Sequence, residues 1–203
     1  MYIPPSFAET DLHTLHDLMR TYNFALLVSN GDPAPNASHL PFTLDPDSGE
    51  YGTLITHIAR ANHHWKSLNP DAEVLVIFQG PHSYISPRWY TPPGVVPTWN
   101  YATVHAYGKP RLIHDPALLK PIVTALVEHH EDQSLLSDLE AAFPENLLHA
   151  IVGLEIPITR LEGKFKMSQN RTEVDQRGVI KALEQSRHSD QQAVAAIMQA
   201  NIE

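Results

Sequence analysis

The sequence has 203 residues, of which 42% are hydrophobic and 18% charged, and its lack of cysteine excludes disulfides, thiolate metal sites and cysteine nucleophiles. Its net charge is −9, with 7 Lys and Arg against 17 Asp and Glu in the first 159 residues and 7 against 6 in the last 44. Because Lys and Arg supply most of DNA affinity by neutralising phosphates, this balance disfavours DNA binding and leaves it only to the C-terminal segment.

The first half of the chain predicts one helix followed by strands. Residues 10–22 carry an apolar stripe that is typical of an amphipathic helix. A short helical pattern, ARANHHWKSL, occupies 59–68, and a Pro- and aromatic-rich loop is predicted over 79–101. Apolar or alternating segments predict strands FALLVS at 24–29, NASHLPFTL at 36–44, YGTLITHI at 51–58, EVLVIF at 73–78 and ATVHAYGKPRLI at 102–113.

The second half is more helical. Residues 115–150 predict a helical insertion, with Pro116 in its first turn and Pro121 at a kink or restart. LEIPITRLEGKFKMS at 154–168 predicts a last long strand, and 173–201 carry two amphipathic patterns around residues 186–190, the second capped by Asp190. Because most strands follow one another without an intervening helix, an antiparallel barrel with helices outside is expected rather than a doubly wound parallel sheet.

The junction between the strand at 51–58 and the following helical pattern is the first candidate site. Thr56, His57, Arg60 and Asn62 cluster there, and a helix start with a forked guanidinium donor suits an anion such as phosphate. An ordinary helix cap beside a surface arginine would give the same pattern.

Two further segments combine polar, cationic and aromatic residues. In the predicted loop at 79–101, aromatics such as Trp99 can flank a planar ligand or cover a partner subunit, or merely close one barrel end. In KFKMSQNR at 164–171, Lys164 and Lys166 share a strand face beside Ser168, Gln169 and Asn170, a set that can bind phosphate or a ring carbonyl, or be a solvated strand end.

Common catalytic templates are absent from the sequence. There is no GxGxxG, no GxxxxGK[ST] and no GxSxG. The histidine-rich HHW at 63–65 and EHHED at 128–132 lack the HExxH spacing, so no zinc hydrolase or other metal site is predicted. The start of the chain lacks signal-peptide features and no apolar run reaches the roughly 18 residues of a spanning helix, so we expect a cytoplasmic protein without a membrane segment.

Several long segments, in the same order, make the chain resemble the PaiB family of FMN-binding negative transcriptional regulators. They are MYIPPSF at 1–7, SHLPF at 38–42, HIARAN at 57–62, IFQGPHSYISPRWY at 77–90, VPTWNYATVHAYG at 96–108 and KFKMSQNR at 164–171. The resemblance implies a mainly β fold, a six-stranded antiparallel FMN-binding split barrel with peripheral helices over residues 1–172. The insertion would lie at about 115–150, and a helical tail at 173–203 would pack on the barrel.

The resemblance also implies a homodimer that binds FMN or a related phosphorylated planar ligand. The phosphate would contact Thr56, His57, Arg60 and Asn62, with arginine where relatives often have lysine. The ring edge would face Ser38, His39 and Leu40, Gln79 would touch the ring, and Ser168, Gln169 and Asn170 would close the site. Trp99 and Lys166 complete the predicted cofactor-binding set.

Three functions remain open at this stage. The first is an FMN-binding regulator of the PaiB type. The second is an FMN-dependent oxidoreductase, because the chemistry of a flavoprotein resides largely in its cofactor. The third is a haem-binding or haem-degrading protein, since split barrels also host that chemistry and the chain has 13 histidines.

Overall fold

The computed structural model describes residues 1–91, 96–131 and 145–202. Within these ranges the α-helices are α1 (Leu12–Thr21), α2 (His64–Ser67), α3 (Pro116–His130), α4 (Glu145–Leu148), α5 (Glu173–Glu184) and α6 (Ser189–Ala200). The strands are β1 (Ala8–Glu9), β2 (Phe24–Ser29), β3 (Asn36–Pro41), β4 (Thr43–Asp45), β5 (Thr53–Ala59), β6 (Val74–Ile85), β7 (Thr98–Gly108), β8 (Arg111–Ile113) and β9 (Ile151–Lys166). Short 3-10 helices occupy Pro5–Phe7 and Pro87–Trp89.

The strands form one sheet in the order β3-β2-β6-β7-β9-β5-β4, with β1 and β8 also paired to β9. The described registers of β1, β2, β4, β5 and β8 with their neighbours are antiparallel. The predicted antiparallel, mainly β architecture with helices is therefore confirmed. The described part of the chain has nine strands rather than six, because β1, β4 and β8 are two- or three-residue segments that pair at the sheet's margins.

Some element boundaries differ from the sequence prediction. The loop expected over 79–101 is shorter, because β6 continues to Ile85 and β7 begins at Thr98. Two successive buried residues, Gly80 and Pro81, interrupt the inside–outside alternation of β6, which hides this part of the strand from a periodicity argument. The pattern at 59–68 yields only the four-residue α2.

The helical predictions fared better. Helix α3 begins at Pro116 with Asp115 as its cap and runs through Pro121 without a restart, and residues 132–144 of the predicted insertion lie outside the described residues. The tail forms two helices as predicted, although the cap of α6 is His188 and Asp190 lies in its first turn. No described helix is long and apolar enough to cross a membrane.

The chain divides into two compact units. Unit 1 comprises residues 1–15, 79–104 and 162–203, and unit 2 comprises 16–78 and 105–161. In unit 2, α3 packs on β5, and Leu119, Val123 and Leu148 form an apolar cluster. Gly153 of β9 permits this close approach, because a Cβ there would lie 2.8 Å from a methyl of Leu119.

In unit 1 the tail helices pack against each other and α5 packs against the 3-10 helix at Pro87–Trp89. Asp175 of α5 accepts a hydrogen bond of 2.9 Å from the backbone N–H of Thr91. The amide of Asn100, a fully buried residue of β7, donates to the hydroxyl of Ser168 at 3.0 Å and contacts the sulfur of Met198 in α6 at 3.4 Å. The tail is therefore docked within its unit, while a domain boundary at 172 stays a prediction.

Packing of the tail generates a stability prediction. Leu183 of α5 is fully buried, whereas Val174 on the same helix is 65% exposed. We expect Leu183→Ala to lower the free energy of unfolding by about 2–5 kcal/mol, because it leaves a cavity. The matched control, Val174→Ala, should change it by no more than about 0.5 kcal/mol. Urea denaturation measures both, and equal effects would contradict the docked arrangement.

Candidate functional site

Buried polar side chains gather at the junction of β5 and α2 in unit 2. The imidazole of His64 lies between two serines of neighbouring strands, with Nε2 2.9 Å from the Ser29 hydroxyl and Nδ1 2.8 Å from the Ser38 hydroxyl. Asn62 donates to the Ser38 hydroxyl at 3.1 Å and accepts from the backbone N–H of His64 at 3.0 Å. Both ring nitrogens are thereby satisfied inside the protein, which fixes the ring.

This network borders an open, polar pocket of about 440 Å³. Except for Ala37, its walls are hydroxyl, amide and imidazole side chains from β3, from α2 and from the turn between β5 and α2. The full lining is Asn36, Ala37, Ser38, Asn62, His63, His64 and Ser67. Such walls can donate several hydrogen bonds to one polar group. Ser38 and Asn62, both predicted from the sequence, are therefore brought together in one pocket.

Arg60 follows β5 directly and is held by the chain that leads into β9. Its Nε donates to the carbonyl of His149 at 2.7 Å, and Nη2 donates to the carbonyl of Ile151 at 2.8 Å. Among the described residues no carboxylate lies within ion-pair distance of this guanidinium. The arginine is thus rigidly placed, and no carboxylate of the described residues compensates its positive charge, which is a suitable arrangement for an anion.

The other predicted residues of unit 2 are placed differently. Thr56 is buried and donates its hydroxyl to the carbonyl of Pro41 at 2.6 Å, so this hydroxyl stabilises the strand connection. His57 lies on the opposite face of β5, where its buried Nδ1 has no hydrogen-bond partner among the described residues and burial lowers the pKa of the ring. His39 is exposed and stacks on Phe24, whereas Leu40 is buried.

Unit 1 contains an aromatic pocket of about 410 Å³ between residues of β6 and β7. Two residues predicted from the sequence line this pocket. They are Gln79, whose amide is exposed, and Trp99, which is 52% exposed. The indole lies 5.6 Å from the ring of His82 and 6.3 Å from that of Tyr84, measured between centroids. The full lining is Gln79, His82, Trp99, Tyr101, Ala102 and Thr103.

Lys166 and the turn after β9 support the same unit. The Lys166 ammonium donates to the Thr98 hydroxyl at 2.6 Å and to the carbonyl of Trp99 at 2.5 Å. Burial, followed by the neighbouring charges of Lys164 and Arg171, lowers the pKa of Lys166.

The predicted SQN segment has mainly internal contacts. Ser168 has a left-handed backbone with φ of 64° and shares hydrogen bonds with Asn100. Gln169 accepts from the N–H of Met167 and donates to the carbonyl of Phe165, so its amide shapes the turn. Asn170 is exposed.

Sequence reasoning missed several residues that the structure places at these pockets. His64 belongs to HHW, a segment that was considered only as a set of zinc ligands. Its contact with Ser29 results from the pairing of strands, which the spacing of residues in the sequence does not reveal. Tyr101 and His82 lay in a segment predicted to be a loop, where alternation could not assign them to a face. The described residues contain no group of three or more His, Asp or Glu placed to hold a metal ion.

Comparison with known proteins shows a likeness in sequence to one family and its members. The model of the family described as "Putative FMN-binding domain" matches residues 1–160. "Protease synthase and sporulation protein PAI 2" of Bacillus subtilis is 34% identical over 202 residues, covering 98% of this chain and 97% of the relative.

Solved structures show a similar fold at low sequence identity. The flavocytochrome Anf3 from Azotobacter vinelandii is 16% identical with a TM-score of 0.61, over 82% of this chain and 70% of that one. The FAD and heme binding protein from Mycobacterium smegmatis is also 16% identical with a TM-score of 0.60, over 78% and 73%. The predicted class, a mainly β split barrel with helices, is confirmed.

The His64 network generates a pH prediction. Burial lowers the pKa of His64 below its ordinary value of 6.5, so the unfolded chain takes up a proton more readily than the folded protein. Stability should therefore fall as the pH drops below the ordinary value of 6.5. Between about pH 7.5 and about pH 5.5, the free energy of unfolding should therefore decrease less in His64→Gln than in the wild type. The decrease that remains in the variant is due to other groups such as His57.

The exposed His39 provides the matched control for this measurement, since His39→Gln removes an imidazole that is not buried. Urea denaturation at the two pH values should give the control the wild-type pH dependence. An unchanged pH dependence in His64→Gln would show that this ring does not contribute.

Proposed function

Because this chain belongs to the PaiB family and to the family described as "Putative FMN-binding domain", we propose that it binds FMN and acts as a PaiB-type negative transcriptional regulator. The observation that carries the proposal is the aromatic pocket of unit 1. Bound FMN would supply electron-transfer chemistry, and the protein would supply binding and orientation.

The aromatic pocket has the chemistry that a flavin ring requires. Its volume of about 410 Å³ lies in the range of small-molecule sites. Trp99 and Tyr101 offer planar apolar surfaces, and the Gln79 amide can both donate to a ring carbonyl and accept from a ring N–H. The turn of Ser168, Gln169 and Asn170 is proposed to close the site.

The phosphate is proposed to bind at the β5–α2 junction of unit 2. Arg60 supplies a positive charge without a carboxylate partner among the described residues, and Asn62 and Ser38 supply polar groups at a pocket. His57 brings a buried ring nitrogen for which the described part of the chain supplies no hydrogen-bond partner. Thr56 can join this set only if its hydroxyl leaves the carbonyl of Pro41. The contact of the ring edge with Ser38, His39 and Leu40 of β3 stays a prediction from the sequence.

The fold is also compatible with the two alternatives, an FMN-dependent oxidoreductase and a haem-binding or haem-degrading protein. A flavocytochrome and a FAD and heme binding protein are among its structural neighbours, a likeness of fold alone. The absorbance spectrum of the freshly purified protein distinguishes the cases. A flavin spectrum supports the proposal, a haem spectrum replaces it, and a protein that neither carries nor takes up flavin contradicts it.

The phosphate assignment predicts a difference between FMN and riboflavin, which lacks the phosphate. Arg60→Ala should weaken FMN binding by about 10- to 150-fold, the value of a lost charge-assisted contact, and leave riboflavin affinity nearly unchanged. Arg111→Ala removes an exposed cation from the same unit and should bind FMN like the wild type. Flavin fluorescence titration measures all of these affinities, in variants shown to be folded.

Two outcomes of this titration would be informative in different ways. Unchanged FMN affinity in Arg60→Ala would refute the phosphate assignment and leave flavin binding intact. Equal loss of FMN and riboflavin would indicate that the arginine acts by holding the carbonyls of His149 and Ile151.

We also propose a homodimer. Unit 1 exposes Tyr2, Tyr84, Val96 and Trp99 to between 45% and 82%, and apolar side chains exposed together commonly mark interfaces. Light scattering at micromolar concentration should give twice the mass of one chain. A monomeric mass would contradict this part of the proposal.

We propose that the protein acts as a regulator without binding DNA tightly itself. With a net charge of −9 the protein can neutralise few phosphates, so binding should be weak and strongly salt-dependent. A mobility-shift assay across a salt series measures it. Nanomolar, sequence-specific binding at physiological salt would contradict this expectation and draw attention to the C-terminal cations.

A further inference from the structure

Two lysines at the end of β9 carry charges that the described residues do not neutralise. Lys164 is only 8% exposed, and Lys166 is half-buried. In the part of the chain that the structure describes, no carboxylate lies within ion-pair distance of either ammonium. Arg171 adds a third positive charge near Lys166. After the hydrogen bond from the backbone of Thr91, this charge also helps to lower the pKa of Asp175, although the structure shows no ion pair between the described residues Arg171 and Asp175. Two partly desolvated cations side by side are unfavourable unless an anion joins them.

Aromatic rings and neutral oxygens are the present partners of these ammonium groups. The Lys164 ammonium lies 5.2 Å from the centroid of Tyr101 and 5.5 Å from that of Tyr2, so it faces two π-systems. The Lys166 ammonium is held by the Thr98 hydroxyl and the carbonyl of Trp99. These contacts fix the positions of the charges and leave their sum positive.

The same partners line the aromatic pocket of unit 1. Tyr101, in contact with Lys164, and Trp99, whose carbonyl binds Lys166, both belong to its lining. We infer that this pocket selects planar aromatic ligands that carry a negative charge, with the rings on Trp99 and Tyr101 and the charge stabilised by Lys164 and Lys166. The inference deepens the proposed function and rests on it for the natural ligand, a flavin.

For a flavin, the inference concerns the charge of the ring itself. Sulfite is a direct probe, because its sulfur lone pair forms a bond to N5 of the oxidised ring and no group leaves. In FMN-loaded protein those two electrons would enter the ring, which would gain a negative charge. Positive side chains beside the pocket therefore favour this adduct over the neutral ring.

The first experiment uses the free protein and does not depend on flavin. Isothermal titration calorimetry compares 2-naphthoate with 2-naphthamide, which have the same rings and differ in charge. The wild type should bind the carboxylate at least about tenfold more tightly. Equal affinities, or no binding of either probe, would overturn the inference, and this comparison requires no variant.

Substitutions then assign the preference to the lysine. Lys164→Met keeps the apolar stem and should lose the preference for the carboxylate, whereas Lys164→Arg should retain it. Lys181→Met removes an exposed cation of the same unit and should behave like the wild type. A preference that persists in a folded Lys164→Met protein would exclude this residue as its source.

The second experiment uses the FMN-loaded protein and sulfite titration followed by flavin absorbance. We expect the sulfite dissociation constant, measured on protein saturated with FMN, to rise by about tenfold or more in Lys164→Met and to keep its wild-type value in the control Lys181→Met. Unchanged sulfite affinity would overturn the assignment to the flavin ring. Failure of the wild type to bind FMN would instead refute the proposed function, while the naphthoate comparison would still decide the anion preference.

Discussion

The side-chain amide of Asn100 is the interaction on which unit 1 most depends. It is fully buried, exchanges hydrogen bonds with the Ser168 hydroxyl and contacts the sulfur of Met198. One side chain of β7 thereby joins a strand, the turn after β9 and the last helix. Because a buried amide without partners is costly, these three segments must adopt their arrangement together. The pocket residues Trp99 and Tyr101 flank Asn100 in β7, so the same contact holds the lining in place.

In unit 2 the side chain of His64 has a comparable role. An imidazole between two serine hydroxyls ties β2, β3 and the start of α2 through groups that cannot be exposed cheaply. Arg60 is likewise immobilised, although by backbone carbonyls. In both units, therefore, hydrogen bonds within the protein hold polar side chains in fixed positions, which is the arrangement expected of preorganised binding sites.

Sequence patterns predicted the parts of the fold that depend on local periodicity. The strand at 73–78, Pro116 in the first turn of α3, and the two tail helices follow from a continuous apolar run, helix-start chemistry and amphipathic spacing. The continuation of β6 beyond Gln79 could not be predicted, because Gly80 and Pro81 break the alternation. Thr56 and Arg60 donate to carbonyls of other segments of the chain, and such contacts are set by how those segments pair rather than by spacing in the sequence.

The left-handed backbone of Ser168 limits how this turn can vary. A non-glycine residue at φ of 64° carries a conformational cost, which glycine would relieve, yet glycine would leave the buried Asn100 amide short of an oxygen. Larger or β-branched residues would increase the strain and lose the same oxygen. Only short polar side chains meet both demands at this position, whereas neither applies to the exposed Asn170. Libraries built to alter ligand choice can vary the pocket walls extensively while this serine stays fixed.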